Sequence, residues 1–86
     1  MHRTALNKQK AWLLAVGEAI QERRLSVGIS QQELADMAGV HRTYVSDVER
    51  GARNLTVSSL VKVCKALNVQ PSRLFRRAEE SEKVSR

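Results

Sequence analysis

The segment 30–51, SQQELADMAGVHRTYVSDVERG, constrains the fold of this chain more than any other stretch. Ser30 is followed three residues later by Glu33, and this spacing is typical of a capping box, in which each side chain accepts a hydrogen bond from the other residue's backbone N–H. Gly39 can adopt the left-handed conformation that ends a helix at low cost. The segment therefore predicts a short, well-bounded helix over Gln31–Ala38.

A second short helix is predicted after a tight turn at residues 38–40. It covers about 42–50 and stops at Gly51. Val45 and Val48 lie three residues apart, so they share the face that packs inward. The other positions of this helix are polar or amphipathic and are expected to face outward: Arg42, Thr43, Tyr44, Ser46 and Asp47.

A longer helix is predicted before this pair, over about 9–25. Trp12, Val16 and Ile20 follow helical spacing, and we expect their stripe to face the core. Gly17 lies inside this helix, where it costs about 1 kcal/mol relative to alanine. That cost predicts a close approach of another part of the chain at Gly17.

Two further helices are predicted after the pair. Thr56 is expected to cap a fourth helix over 57–67, in which Leu60, Val63, Cys64 and Leu67 form one apolar face. Cys64 is therefore expected to be a small buried hydrophobe and not a nucleophile. Pro71 suits the first position of a fifth helix. Because no β-type alternation occurs, the predicted fold is all-α.

Length and charge limit the class of protein. Eighty-six residues suffice for one domain with a modest core, so a single domain is expected over 1–86. The polar ends, 1–8 and 78–86, are expected to be flexible. The net charge of +6 and the isoelectric point near 10.3 suit a polyanionic partner such as nucleic acid. Simple solubility is the alternative explanation of this charge.

The composition does not favour an enzyme, a metalloprotein or a membrane protein. The single cysteine excludes an internal disulfide, which fits a cytoplasmic location. There is no apolar run near membrane-spanning length, and the first residues lack the apolar core of a secretory signal. His2 and His41 have no partners at metal-ligand spacing. We therefore expect no catalytic residue, cofactor or metal site.

The segment 30–51 resembles the helix-turn-helix of the phage-repressor-like (XRE) family of DNA-binding proteins. The family's pattern is matched at Gln31, Leu34, Ala35, Ala38, Gly39, Val40, Val45, Val48 and Glu49. The resemblance implies a compact five-helix domain with its helix-turn-helix core at 16–75. The alternative is a helical hairpin that is only structural and binds no ligand.

The resemblance also implies a structural ion pair. In this family an arginine of the first helix commonly pairs with a glutamate at the end of the recognition helix, the second helix of the motif. Arg24 and Glu49 stand at the matching places. Such a pair would fix the angle of the recognition helix through charge-assisted hydrogen bonds. Two independent surface charges are the alternative.

The geometry of a helix-turn-helix predicts which residues read DNA. The N-terminal residues of the recognition helix reach base edges in the major groove. In this chain the candidates are Arg42, Thr43 and Tyr44, followed one turn later by Ser46 and Asp47. Arginine is the natural bidentate partner of guanine, and Tyr44 could pack on thymine or bond a phosphate through its hydroxyl. Gln31, at a helix N-terminus, is placed for a backbone phosphate.

The stretch HRTYVSDVERGARNLT is similar to the controller proteins of restriction–modification systems, which are small dimeric regulators of the same family. The resemblance implies that Arg42, Thr43 and Tyr44 face the operator. It also implies that Arg53 and Asn54 lie at the DNA backbone or near the minor groove. His41 replaces the more usual aspartate at the helix cap, and the segment 1–15 exceeds the usual short controller.

The expected function is that of a transcriptional regulator that binds double-stranded DNA as a homodimer. One recognition helix touches few base pairs, so two copies are needed to read a pseudo-palindromic operator. Leu74 and Phe75 are expected to supply the dimer surface, although both could instead close the monomer core. The alternatives are an antitoxin that binds its own promoter and clamps a toxin protein, and a protein-interaction module that binds no DNA.

Overall fold

The computed structural model describes the backbone of residues 2–81 and 84, and the side chains of residues 8–81 and 84. These residues contain no β-strand and form five helices: α1 (His2–Val27), α2 (Gln31–Ala38), α3 (Arg42–Glu49), α4 (Val57–Ala66) and α5 (Pro71–Glu79). The predicted all-α, five-helix fold is therefore confirmed. None of the helices in the described part of the chain is both long enough and apolar enough to cross a membrane.

The N-terminal helix is longer than its sequence pattern indicated. It begins at His2, not near residue 9, because residues 2–8 contain no glycine or proline that would stop a helix. The C-terminal tail also begins later than expected, since Ala78 belongs to α5 and is buried. The flexibility expected for the two ends stays a prediction. The side chains of 1–7, and residues 82, 83, 85 and 86, lie outside the described residues.

The caps of the central helices form as their sequences predict. The Glu33 N–H donates to Ser30 Oγ at 3.0 Å, and the Ser30 N–H donates to Glu33 Oε1 at 2.8 Å. Gly39 ends α2 in the left-handed conformation, with φ of 71°. Thr56 Oγ1 accepts from the Ser59 N–H at 3.1 Å at the start of α4. These contacts satisfy backbone donors that a helix terminus would otherwise leave unpaired.

All five helices contribute buried side chains to one core. α1 packs on α3 and α5, while α2 packs on α3 and α4. The largest fully buried side chains are Ile20, Leu34, Cys64 and Leu67. Cys64 is 2% exposed, which confirms the prediction of a buried hydrophobe, and this burial raises the pKa of its thiol. Each fully buried aliphatic side chain contributes about 1.5–3 kcal/mol, so this small core is the main source of stability.

Gly17 allows α1 to lie directly on the last turn of α3. A Cβ at this position would be 2.8 Å from the Glu49 carbonyl oxygen and would also collide with the Val48 carbonyl oxygen. Any other residue would push the two helices apart, because backbone atoms cannot move aside as a side-chain tip can. The close approach that the sequence predicted at Gly17 is therefore present, and it sets the position of α3.

One member of the predicted core stripe is not buried. Val16 and Ile20 are in the core, but Trp12 is 38% exposed. At Trp12, α1 is flanked by α5 and the start of α4, and the indole meets the ring of Phe75 edge-on with 6.4 Å between centroids. The helical period of the stripe is correct, but the side chains around Trp12 cover its indole only in part.

Candidate nucleic-acid interface

The first turn of α3 lies at the surface of the helix-turn-helix. Arg42 and Thr43 are exposed, while Ser46 and Asp47 are half-buried. Val45 and Val48 face inward and belong to the core. The N-cap residue, His41, makes no side-chain hydrogen bond to the helix. Two of the predicted reading side chains therefore extend from the first turn of α3 into solvent.

Tyr44 is held more firmly than the reading residues beside it. Its ring packs against the core and lies under the guanidinium of Arg53, whose Cζ is 5.1 Å from the ring centroid. The Tyr44 hydroxyl is buried and has no hydrogen-bond partner among the described residues. The phosphate contact predicted for this hydroxyl is thus not available in this conformation, because the oxygen faces the protein interior.

Gln31 makes a contact within the protein that its sequence position did not indicate. Its Nε2 donates a hydrogen bond to Glu49 Oε1 at 2.9 Å, and the residue is half-buried. The side-chain amide is therefore directed at α3, and a phosphate contact at Gln31 stays a prediction. Because the amide donates to a carboxylate that is otherwise enclosed by protein, Gln31 supports Glu49 as part of the helix pair.

Glu49 is joined to α1 by a buried, two-pronged ion pair. Arg24 Nε lies 2.7 Å from Glu49 Oε2, and Arg24 Nη2 lies 3.1 Å from Oε1. Arg24 Nη1 also donates to the Ile29 carbonyl oxygen at 2.9 Å. The two residues are 8% and 5% exposed. The hydrogen bonds to Glu49 raise the pKa of Arg24 against the effect of burial, so the guanidinium stays charged.

A second group of charges lies where the chain leaves α3. Asp47 accepts from Arg50 Nη2 at 2.5 Å through Oδ1 and lies 3.5 Å from Arg53 Nη2 through Oδ2. Asn54 follows in the loop and is exposed. Sequence reasoning did not single out Arg50. The three-residue spacing of Asp47 and Arg50 on one helix could have indicated it.

The exposed charged side chains on and just after α3 are mainly basic. Arg42, Arg50 and Arg53 are exposed, whereas the acids of α3 are engaged: Asp47 with two arginines, and Glu49 in the interior. Guanidinium groups bind phosphate oxygens and guanine edges with matching geometry. Within the described residues there is no group of histidine, cysteine and acidic side chains that could hold a metal ion.

The residues expected at a dimer surface are separated by the fold. Leu74 is 3% exposed and belongs to the monomer core, so it has almost no surface to offer a partner. Phe75 is 39% exposed and lies beside Trp12, and Val57 is 77% exposed. We call Trp12, Val57 and Phe75 the apolar patch. Of the two residues predicted at the dimer surface, only Phe75 is exposed enough to contact a partner, and its role there stays a prediction.

Comparison with known proteins identifies the family. Residues 20–74 match a helix-turn-helix family model. Control protein C.BamHI of Bacillus amyloliquefaciens is 45% identical over 63 residues, which cover 72% of this chain and 78% of that protein. Control protein C.SmaI of Serratia marcescens is 40% identical over 62 residues, with 72% and 74% covered. The chain belongs to the phage-repressor-like (XRE) helix-turn-helix family.

A solved structure shows the same similarity in three dimensions. The restriction-modification controller protein C.AhdI from Aeromonas hydrophila matches with a TM-score of 0.72 and 40% sequence identity. The match covers 73% of this chain and 96% of that chain. The similarity in fold and the similarity in sequence therefore both place the chain in the helix-turn-helix family.

The Arg24–Glu49 pair generates a prediction about stability. We expect Arg24→Ala or Glu49→Ala to lower the free energy of unfolding by roughly 1–3 kcal/mol, because each leaves a buried polar group without its partner. The double variant should lose less than the sum of the two, since both changes remove one shared interaction. Urea denaturation of the three variants measures this coupling.

The exposed pair between Arg77 and Glu22 is the matched control, with Arg77 Nε 2.8 Å from Glu22 Oε1. The same three alanine variants there should show a much smaller coupling, because solvent screens an exposed pair. Additive effects near zero for Arg24 and Glu49 would show that the buried pair does not hold α3 on α1.

Proposed function

We propose that this protein is a sequence-specific DNA-binding transcriptional regulator that acts as a homodimer on a pseudo-palindromic operator. The observation that carries the proposal is the fixed position of α3. Gly17 and the Arg24–Glu49 pair hold its C-terminal turn on α1, while Arg42 and Thr43 extend from its N-terminal turn into solvent. A rigid helix with a free N-terminal turn suits insertion into the major groove.

The relatives support a narrower proposal, that the protein controls the genes of a restriction–modification system. Two relatives are named control proteins, and a third is titled a restriction-modification controller protein. Footprinting of the protein on the DNA upstream of its own gene tests this proposal directly. A neighbouring pair of restriction and methylation genes would agree with it, whereas a neighbouring toxin gene would favour the antitoxin function.

The homodimer is proposed from size and from the apolar patch. A single recognition helix reads too few base pairs for useful selectivity, and two copies about one helical turn apart read two half-sites. The apolar patch lies on α1, α4 and α5 and not on the helix-turn-helix. A second copy seated on it would therefore leave both α3 helices free for DNA.

The proposed function makes three predictions, and the first of them concerns DNA binding itself. Duplexes selected from a randomised library by the protein should bind far more tightly than a scrambled duplex of the same composition. The logarithm of the affinity should fall linearly with the logarithm of salt concentration, by about 0.9 per phosphate contacted. Titrations at several salt concentrations measure both quantities. A flat salt response without sequence enrichment would contradict the proposed function.

The second prediction separates the roles of Arg42 and Arg53. Arg42→Ala should flatten the preference at one base pair in each half-site, because a bidentate arginine–guanine contact discriminates by about 1–3 kcal/mol. Arg53→Ala should weaken binding and reduce the salt slope by roughly one, but it should leave the preferred base at each half-site position unchanged, because a phosphate contact reads no base directly. Should Arg53 instead enter a narrow minor groove, its loss would remove only the preference for A·T-rich spacers.

Binding across an operator library at two salt concentrations distinguishes these outcomes. Arg73→Ala is the matched control, because Arg73 is an exposed arginine on α5 and lies away from the helix-turn-helix. It should leave the base preferences unchanged. If Arg42→Ala retains the wild-type preference at every position, then Arg42 does not read the operator.

The third prediction concerns dimerisation. Phe75→Glu should shift the protein from dimer to monomer, because it places a charge in the apolar patch that the partner would bury. Leu25→Glu is the control, since Leu25 is 62% exposed and lies outside the patch. Sedimentation velocity measures the oligomeric state, and circular dichroism checks that both variants fold. A dimer of unchanged strength in Phe75→Glu would place the interface elsewhere.

A further inference from the structure

We propose that Asp47 is a positioning residue that holds Arg50 and Arg53 in one arrangement and thereby excludes DNA of the wrong sequence. The proposal rests on the DNA-binding function proposed above. We call Asp47, Arg50 and Arg53 together the arginine clamp. Each carboxylate oxygen of Asp47 forms an ion pair with one arginine. Arg50 Nη2 lies 2.5 Å from Oδ1, and Arg53 Nη2 lies 3.5 Å from Oδ2. The two arginine side chains are 66% and 50% exposed, so their outer faces remain available to a ligand.

Arg53 is restrained from three directions. Asp47 Oδ2 lies beside its guanidinium, and the ring of Tyr44 lies 5.1 Å below it. The backbone of the loop is also tied to α3, because the Ala52 N–H donates to the Asp47 carbonyl oxygen at 2.8 Å. A planar guanidinium that is already oriented loses less entropy when it binds a matching site. It also fits a misplaced phosphate less well than a free side chain would.

The arrangement does not suit direct base reading by Asp47. An aspartate reads cytosine by accepting a hydrogen bond from its N4 amino group. Here Oδ1 already accepts a hydrogen bond from Arg50 and Oδ2 lies beside Arg53, so a cytosine amino group would have to approach between two guanidinium groups. The Asp47 side chain is only 21% exposed, which is less than either arginine. The structure therefore assigns Asp47 a role that acts through its two partners.

The charge of Asp47 explains why this role favours selectivity over affinity. A carboxylate at a DNA-binding surface repels phosphates, so its presence weakens binding to every duplex. Tight binding is therefore possible only on DNA that both arginines can contact while Asp47 holds them, because those contacts offset the repulsion. Freed from Asp47, the arginines could follow the phosphates of any sequence. Specificity commonly arises from an interaction that makes the binding free energy of the wrong partner less favourable.

Asp47→Asn tests the clamp, because asparagine keeps the size of the side chain and removes the charge that holds the two arginines. The probes are a duplex selected by the wild-type chain and a scrambled duplex of equal composition. We expect the variant to bind the scrambled duplex more tightly, so that the ratio of the two affinities falls on the order of tenfold. Asp47→Glu restores the charge and should retain most of the wild-type ratio.

Glu79→Gln is the matched control for charge. Glu79 is exposed at the end of α5, which packs on α1 and α4, so this variant removes one negative charge away from α3. It should tighten both duplexes slightly and leave their ratio unchanged. In the Arg53→Ala background, Asp47→Asn should change the ratio much less, because one of the residues through which Asp47 acts is missing.

Three results would overturn the clamp. An equal gain in affinity for both duplexes in Asp47→Asn and Glu79→Gln would show that only net charge matters. A library selection in which Asp47→Asn loses preference at a single cytosine would make Asp47 a direct reader. If the wild-type chain enriches no sequence, the DNA-binding function fails and the clamp with it. Circular dichroism and a thermal melt of Asp47→Asn verify that the variant is folded.

Discussion

The position of the recognition helix depends on the buried contact between Arg24 and Glu49. α3 has only eight residues, which is too short to be stable or oriented by itself. Its C-terminal end is fixed by the two hydrogen bonds to Arg24, by the amide of Gln31, and by the close contact of its backbone with Gly17. A buried charge pair contributes little net stability, because desolvation offsets its attraction. The pair instead contributes direction, because its two hydrogen bonds fix the angle at which α3 meets α1.

The features predicted from the sequence are those that depend on near neighbours in the chain. The capping box at Ser30, the left-handed Gly39 and the cap at Thr56 involve residues within one turn, so their spacing alone indicates them. Gly17 was informative for another reason. A glycine inside a helix is costly, and here the cost coincides with a backbone contact that excludes a Cβ. The partner of Arg24 came from the family resemblance and not from spacing.

The surroundings that the sequence did not indicate are those formed by side chains of other helices. Trp12 keeps the helical period of the core stripe, but no helix covers it fully. Leu74 and Phe75 are adjacent in sequence, yet only Leu74 lies in the core. Gln31 was expected to face a phosphate because of its place at a helix N-terminus, but a carboxylate on α3 accepts its amide hydrogen. Periodicity shows which face a residue occupies, and it does not show what lies opposite that face.

Two carboxylates on α3 show how strongly position decides the role of one chemical group. Asp47 and Glu49 are two residues apart, and a helix turns about 100° per residue, so their side chains leave on nearly opposite sides. Glu49 is directed into the protein, where solvent cannot screen it and its hydrogen bonds hold α3 against α1. Asp47 is directed toward the surface, where its pairs with Arg50 and Arg53 are weaker and open to competition from phosphates. The buried acid therefore suits a permanent structural contact, while the surface acid suits one that DNA must match or displace.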